Sequence, residues 1–106
     1  MIVIQILGTA DASTEERLQA ITRDLLALCR RAKNDDGYIA FPVDRMQMDL
    51  GTEILALVHL LGAGIPEDKA FGQEVGMILE KHLPAGTLIC VQVIEAKTVR
   101  ELTKKS

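Results

Sequence analysis

The chain has 106 residues, of which 48% are hydrophobic, 25% charged and 3% aromatic, and its formal net charge is −3. This size fits a single globular domain over residues 1–106 with an aliphatic core, and the acidic balance excludes the basic surface of a nucleic-acid-binding protein. The first apolar run stops at Gly8 with no basic segment before it, which excludes a signal peptide and a membrane span and leads us to expect a cytoplasmic protein.

The first third of the chain has the pattern of a strand followed by a helix. Residues 1–7 are a β-rich apolar run. Ser13 and Glu16 then have the spacing of a capping box, in which each side chain satisfies a backbone donor that a helix start leaves free. The apolar residues that follow recur at helical spacing, at Leu18, Ile21, Leu25, Leu28 and Ala32. We therefore predict a strand and an amphipathic helix.

The stretch between residues 37 and 52 predicts an edge strand and a turn. Tyr38 to Val43 have the composition of extended chain, but Pro42 cannot donate a ladder hydrogen bond and is confined to sheet edges. Asp49 to Thr52 have the composition of a turn. We therefore predict an edge strand that leads into a hairpin.

The second half of the chain has the same pattern of strand and helix. Residues 53–62 are a strand with apolar residues on both sides, and Thr87 to Ala96 are a last strand. The helix between them has apolar residues at Phe71, Val75, Ile78 and Leu79. Gly72 and Gly76 lie one helical turn apart, which predicts that something packs closely against that side of the helix.

The two halves align as an internal repeat. Placing Gln5 on His59 aligns the strands, and a shift of one residue in the loop places Thr22 on Val75. Each copy is followed by an extended stretch, which gives the order β-α-β-β-α-β. Right-handed crossovers then set two helices on one face of a four-stranded sheet, and we predict an α/β (α+β) fold of this kind.

Alternation along the strands separates two sets of side chains. The set that is apolar throughout is expected to meet the helices: Ile2, Ile4, Ile6, Ile54, Ala56, Val58, Leu60, Ile89, Val91 and Val93. The other set is also mostly apolar: Val3, Leu7, Leu55, Leu57, Leu61, Leu88, Cys90 and Ile94. Burying one leucine stabilises a protein by about 1.5–3 kcal/mol. We therefore expect self-association through the second set, with its polar members Gln5, His59 and Gln92 as a polar belt inside the oligomer.

The predicted order of elements, together with the stretch "LALVHLLGAGIPEDKAFGQEVGMILEKHL" at residues 55–83, resembles the tautomerase superfamily. The likeness is to the carboxymethyl-hydroxymuconate isomerase branch and, more distantly, to macrophage migration inhibitory factor. Members of this superfamily are trimers whose sheets line a central barrel. The resemblance therefore implies a homotrimer in which the second set of side chains is buried.

The chemistry of that superfamily depends on a proline directly after the initiator methionine. Once the methionine is removed, the proline amine is the catalytic base. This chain has Ile2 there, and because methionine removal generally needs a small second residue, Met1 is expected to remain. Its amine would lie about 3.3 Å beyond the base of the superfamily. The resemblance implies Met1 and Arg45 as catalytic residues, with Arg45 binding a substrate carboxylate. The candidates for contacting a ligand are Ile2, Arg45 and His59.

Several of these residues have a purely structural alternative. Arg45 can be a solvated arginine on an edge strand, and His59 can make a structural hydrogen bond within the sheet. His82, near a helix end, is predicted to cap the helix and to interact with its dipole. Cys29 and Cys90 lack metal-ligand spacing and are predicted to be buried free thiols, and neither a metal nor a cofactor is expected.

Three functions remain open from the sequence. The first is a homotrimer that keeps the tautomerase architecture, binds a small carboxylate ligand and lacks the proline-dependent activity. The second is an active tautomerase of small keto-enol acids, with the Met1 amine as base and Arg45 as carboxylate anchor. The third is a ferredoxin-like dimeric binding or regulatory domain with the same order of elements along the chain. Neither nucleic acid nor a membrane is expected as a partner.

Overall fold

The computed structural model describes residues 1–8, 15–33, 37–42, 53–61 and 68–96. Its helices and strands are β1 (Ile2–Leu7), α1 (Glu15–Lys33), β2 (Gly37–Ala40), β3 (Glu53–Leu61), α2 (Asp68–His82) and β4 (Leu88–Ala96). The predicted order β-α-β-β-α-β is therefore confirmed. Neither of the two described helices is long and apolar enough to cross a membrane.

The four strands form one sheet in the order β2-β1-β3-β4. Strand β1 is parallel to β2 and antiparallel to β3, and β3 is parallel to β4. Each helix thus joins two parallel strands that are direct neighbours. A ferredoxin-like split βαβ unit would have another strand between them, so the ferredoxin-like alternative is wrong. The hairpin predicted after the edge strand is also wrong for β2 and β3, because β1 lies between them.

One face of the sheet is covered by both helices, as the alternation predicted. The inward side chains of β1 and β3 are at most 2% exposed: Ile2, Ile4, Ile6, Ile54, Ala56, Val58 and Leu60. The helices meet them with buried residues one turn apart: Ile21, Leu25, Leu28 and Cys29 of α1, and Phe71, Val75 and Leu79 of α2. This aliphatic layer is the core, and the inward residues of β4 pack at its margin as partly buried side chains.

The glycines of α2 explain how closely this helix lies on the edge of the sheet. A Cβ atom on Gly72 would lie 2.9 Å from Cγ2 of Val93, and one on Gly76 would lie 3.6 Å from Cγ2 of Val91. Real Cβ atoms essentially never come as close as the first distance. The predicted close packing against this side of α2 is confirmed, and β4 is the element that packs there.

A polar contact links α1 to α2. Nε2 of His82 lies 2.6 Å from Oδ2 of Asp24, and Nζ of Lys81 lies 3.6 Å from the same oxygen. The hydrogen bond with His82, together with the positive charge of Lys81, lowers the pKa of the Asp24 carboxyl below its ordinary value of 3.8. His82 therefore connects α2 to α1, in addition to lying in the last turn of its own helix.

Asp24→Asn is expected to lower the stability of the fold by about 1 kcal/mol, because it weakens a partly exposed, charge-assisted contact. Since the pKa of Asp24 is lower in the folded chain, its contribution is complete above the unfolded pKa and is lost as the pH falls through the folded one. Thermal unfolding at about pH 7 and about pH 3 checks this: the difference from the unmodified protein should shrink at the acidic pH. Glu74→Gln, at an exposed site on α2, is the control. An equal loss at both pH values would contradict the prediction.

Candidate functional site

The start of β1 is held against the end of β3 by two backbone hydrogen bonds. The amine of Met1 donates to the carbonyl oxygen of Leu61 at 3.1 Å, and the N–H of Leu61 donates to the carbonyl oxygen of Met1 at 2.9 Å. Met1 thus extends the antiparallel ladder by one residue. Its side chain is 43% exposed, so this end of β1 is accessible in the single chain.

Ile2 is turned the opposite way. Its side chain is 1% exposed and belongs to the core under the helices, because neighbouring residues of a strand point to opposite faces. Its nitrogen is a peptide nitrogen, whose lone pair is delocalised into the carbonyl and is not basic. A molecule bound on the Met1 side of the sheet would therefore meet the backbone of Ile2 and not its side chain.

His59 lies on the same face as Met1. It pairs with Val3 on one side and with Ile94 on the other, and it is two residues before Leu61, the partner of Met1. Diagonal neighbours of this kind lie about 7–8 Å apart between Cα atoms. The structure thus brings two of the predicted site residues, Met1 and His59, to one part of the sheet. Arg45 lies outside the described residues, and its predicted role stays a prediction.

The face that carries Met1 and His59 is the one turned away from the helices, and we call it the outward face. It holds the second set of side chains that the sequence separated, and most of these are partly exposed in the single chain. The exposure is largest on the two edge strands, with Tyr38 of β2 57% and Leu88 of β4 49% exposed. Within the described residues nothing covers this face.

The comparisons with known proteins bear on the fold. No protein-family model matches the sequence, and no curated protein matches it. Among solved structures, MIF2 of Leishmania major matches with a TM-score of 0.68 at 16% identity, over 95% of this chain and 93% of that one. A fused 4-OT, named as a wild-type symmetric trimer, matches with 0.65 at 12% identity, over 90% and 87%.

A 5-carboxymethyl-2-hydroxymuconate isomerase from Deinococcus radiodurans matches with a TM-score of 0.58 at 13% identity, over 99% of this chain and 87% of that one. These are tautomerase superfamily proteins. The chain has the tautomerase fold. The predicted resemblance is confirmed at this level, with two helices on a four-stranded mixed sheet.

The exposure of Cys90 in this tautomerase-fold chain differs from the prediction. Cys29 is buried, as expected, but Cys90 is exposed on the outward face of β4. The prediction of a buried thiol is wrong for the single chain, because no described residue covers the outward face there. Within the described ranges, no group of three or more histidine, cysteine, aspartate or glutamate side chains lies close enough together to hold a metal ion.

Sequence reasoning missed a groove of about 870 Å³ between α2 and β4. Its lining includes Gly76 and Met77 of α2 and Ile89 and Val91 of β4. Glu80 is the one charged residue among its described lining residues, so these residues form no acid–base pair. Its signal in the sequence was Gly76, which has no side chain to fill the space beside β4.

Proposed function

We propose that the protein is a homotrimer of tautomerase-fold subunits that binds a small carboxylate and lacks the proline-dependent tautomerase activity. The observation that carries this proposal is the start of β1. There Ile2 occupies the core, and the amine of Met1 is hydrogen-bonded to Leu61. The expected cytoplasmic location is part of the same proposal.

The proposed loss of activity rests on the chemistry of the first two residues. Abstraction of a proton from a keto-enol acid needs a group with a free lone pair at the right position. Ile2 offers only a peptide nitrogen, and the amine of Met1 lies one residue farther out and donates to a backbone carbonyl.

Two observations support assembly into a trimer. The outward face is apolar and mostly half-exposed in the single chain, which is unusual for a protein that works as a monomer. The fused 4-OT with the same fold is named as a symmetric trimer. Three copies that turn their outward faces toward a common axis would bury these leucines.

The carboxylate ligand rests on the predicted role of Arg45, whose planar guanidinium can bind a carboxylate through two parallel hydrogen bonds. His59 lies on the same face as Met1 and supplies a second polar group near the start of β1. A small acid bound at the start of β1, with Arg45 as the proposed anchor for its charge, would have His59 as a neighbour for hydrogen bonding.

An active tautomerase is the second candidate function, and the accessibility of Met1 favours it. This residue is 43% exposed, so its amine can meet a dissolved acid. In that case the Met1 amine would be the base and Arg45 the carboxylate anchor.

Ketonisation of phenylpyruvate-like and hydroxymuconate-like enols tests the proposal on protein whose intact mass confirms that Met1 is present. We expect no more than trace activity over buffer, together with saturable binding of phenylpyruvate that Arg45→Ala weakens. Robust turnover that disappears when the N-terminal amine is acetylated would establish the second candidate instead.

A further inference from the structure

Three polar side chains form a triangle in the middle of the outward face, and we call it the polar triangle: Gln5, His59 and Gln92. Gln5 and Gln92 lie on either side of Leu57, in register with it on β1 and β4. His59 is two residues farther along β3. From the spacing of strands, the two glutamines are roughly 10 Å apart and His59 is about 7–8 Å from each.

The polar triangle is not satisfied within the described part of one chain. None of its three side chains makes a hydrogen bond to another residue of the described part of the chain. Gln5 and His59 are half-buried and Gln92 is exposed. In the single chain water can serve these groups, but once the leucines around them are covered, each unpaired amide or imidazole opposes the burial.

The chemistry of the outward face suits a second copy of the same chain. Each amide and each imidazole can both donate and accept hydrogen bonds, so identical groups can pair with one another. Glu53, at one end of β3, is the one carboxylate among the described outward residues, which include neither lysine nor arginine. Copies can therefore meet here with little like-charge repulsion, whereas a charged partner finds little to bind.

The outward face is also large enough to form most of an interface between subunits. Four strands about 4.8 Å apart, with a mean length of about seven residues, cover roughly 400–500 Å² in projection. A standard interface buries about 800 Å² of accessible surface on each partner. The accessible surface of the outward face is larger than its projected area, because the side chains protrude from the sheet. The outward face can thus supply most of one subunit's share of a stable interface.

We propose that the polar triangle is completed between copies of this chain, and that these hydrogen bonds fix the register in which the subunits meet. Contacts between leucines have no preferred direction, so an entirely aliphatic face would allow several arrangements. Buried polar groups are known to select one arrangement among such alternatives. The inference rests on the proposed homotrimer, and it adds the residues that determine its geometry.

Sedimentation equilibrium of variants in which leucine replaces a member of the polar triangle tests this inference. The single variants are Gln5→Leu, His59→Leu and Gln92→Leu, and the triple variant combines all three changes. Gln73→Leu, at an exposed site on α2, is the matched control. We expect each single variant to raise the dissociation constant of the trimer about tenfold or more, because its former partners stay unpaired. The triple variant should dissociate less than the product of the three effects predicts, and native mass spectrometry should detect more than one oligomeric state for it.

The possible failures separate the inference from the proposed function. If the unmodified protein is trimeric and the single variants change its dissociation constant by no more than the control does, the triangle does not pair between subunits. The same holds if the three effects multiply and the triple variant remains a single trimer. If the unmodified protein is a monomer, the proposed homotrimer itself is wrong. Far-UV circular dichroism confirms folding, since all three side chains point away from the core.

Discussion

Leu57→Lys is expected to convert the assembly into folded monomers. Leu57 lies at the centre of the outward face, between Gln5 and Gln92, and its lysine would place three positive charges in one dry interface. Desolvation of each charge costs several kcal/mol, and no carboxylate among the described residues at the centre of the face compensates for it. Because residue 57 points away from the helices, the fold of the subunit should persist, and sedimentation velocity should report the mass of one chain.

Met77→Lys is the matched control for this variant. Met77 is an apolar side chain that is 67% exposed on α2, on the opposite side of the sheet. A lysine there adds the same charge without entering the proposed interface, and the mass should not change. A trimeric Leu57→Lys variant would show that the subunits do not meet through the outward face.

Ile2→Pro is expected to create proline-dependent activity. A proline at position 2 permits removal of the initiator methionine, and the chain would then begin with a free secondary amine at the start of β1. A positioned base accelerates a proton transfer by about 10²- to 10⁴-fold. We therefore expect the rate at which the enol of phenylpyruvate is converted to the ketone to rise about 10²-fold over that of the unmodified protein. The enol is followed by its absorbance.

Ile2→Ala is the control that separates the base from the loss of the side chain. It also permits removal of the methionine, and it empties the same core position, where truncation of a buried isoleucine costs about 2–5 kcal/mol. It leaves a primary amine in place of the proline nitrogen. Equal activity of the two variants would show that any free amine at this position suffices. If Ile2→Pro folds but stays inactive, the remainder of the superfamily's site is missing from this chain.

The alternation of side chains predicted the sheet faces because it is a local property. Every residue of β1 and β3 that points inward is apolar. These residues, such as Ile4 and Val58, are buried in the structure. The pairing of strands was harder to predict. Pro42 and the turn residues indicated a hairpin, but β2 pairs with β1 in parallel, and such pairing depends on the crossover through α1 and not on the neighbouring loop.

The internal repeat illustrates the same limit. The sequence alignment shifted the helices by one residue and matched Thr22 with Val75. In the structure Val75 is buried, whereas Thr22 is half-buried and its hydroxyl donates to the carbonyl of Leu18 at 2.8 Å. The offset that places Gln5 on His59 also places Ile21 on Val75, both fully buried. The repeat therefore extends through the helices without a shift.

The candidate site was only partly predictable. The position of Met1 at the start of β1 followed from the strand pattern, but its hydrogen bond to Leu61 joins residues that are far apart in the chain. The same is true of the link between Asp24 and His82. Contacts of this kind depend on the packing of whole elements, for which one sequence carries no local signal.

The mass of the unmodified protein in solution, measured by sedimentation velocity over a range of concentrations, tests the central claim most directly. We expect three times the mass of the chain at all concentrations well above the dissociation constant, with no stable species of two chains. A mass of one chain throughout that range would contradict the account, because the leucines of the outward face would then remain in contact with water.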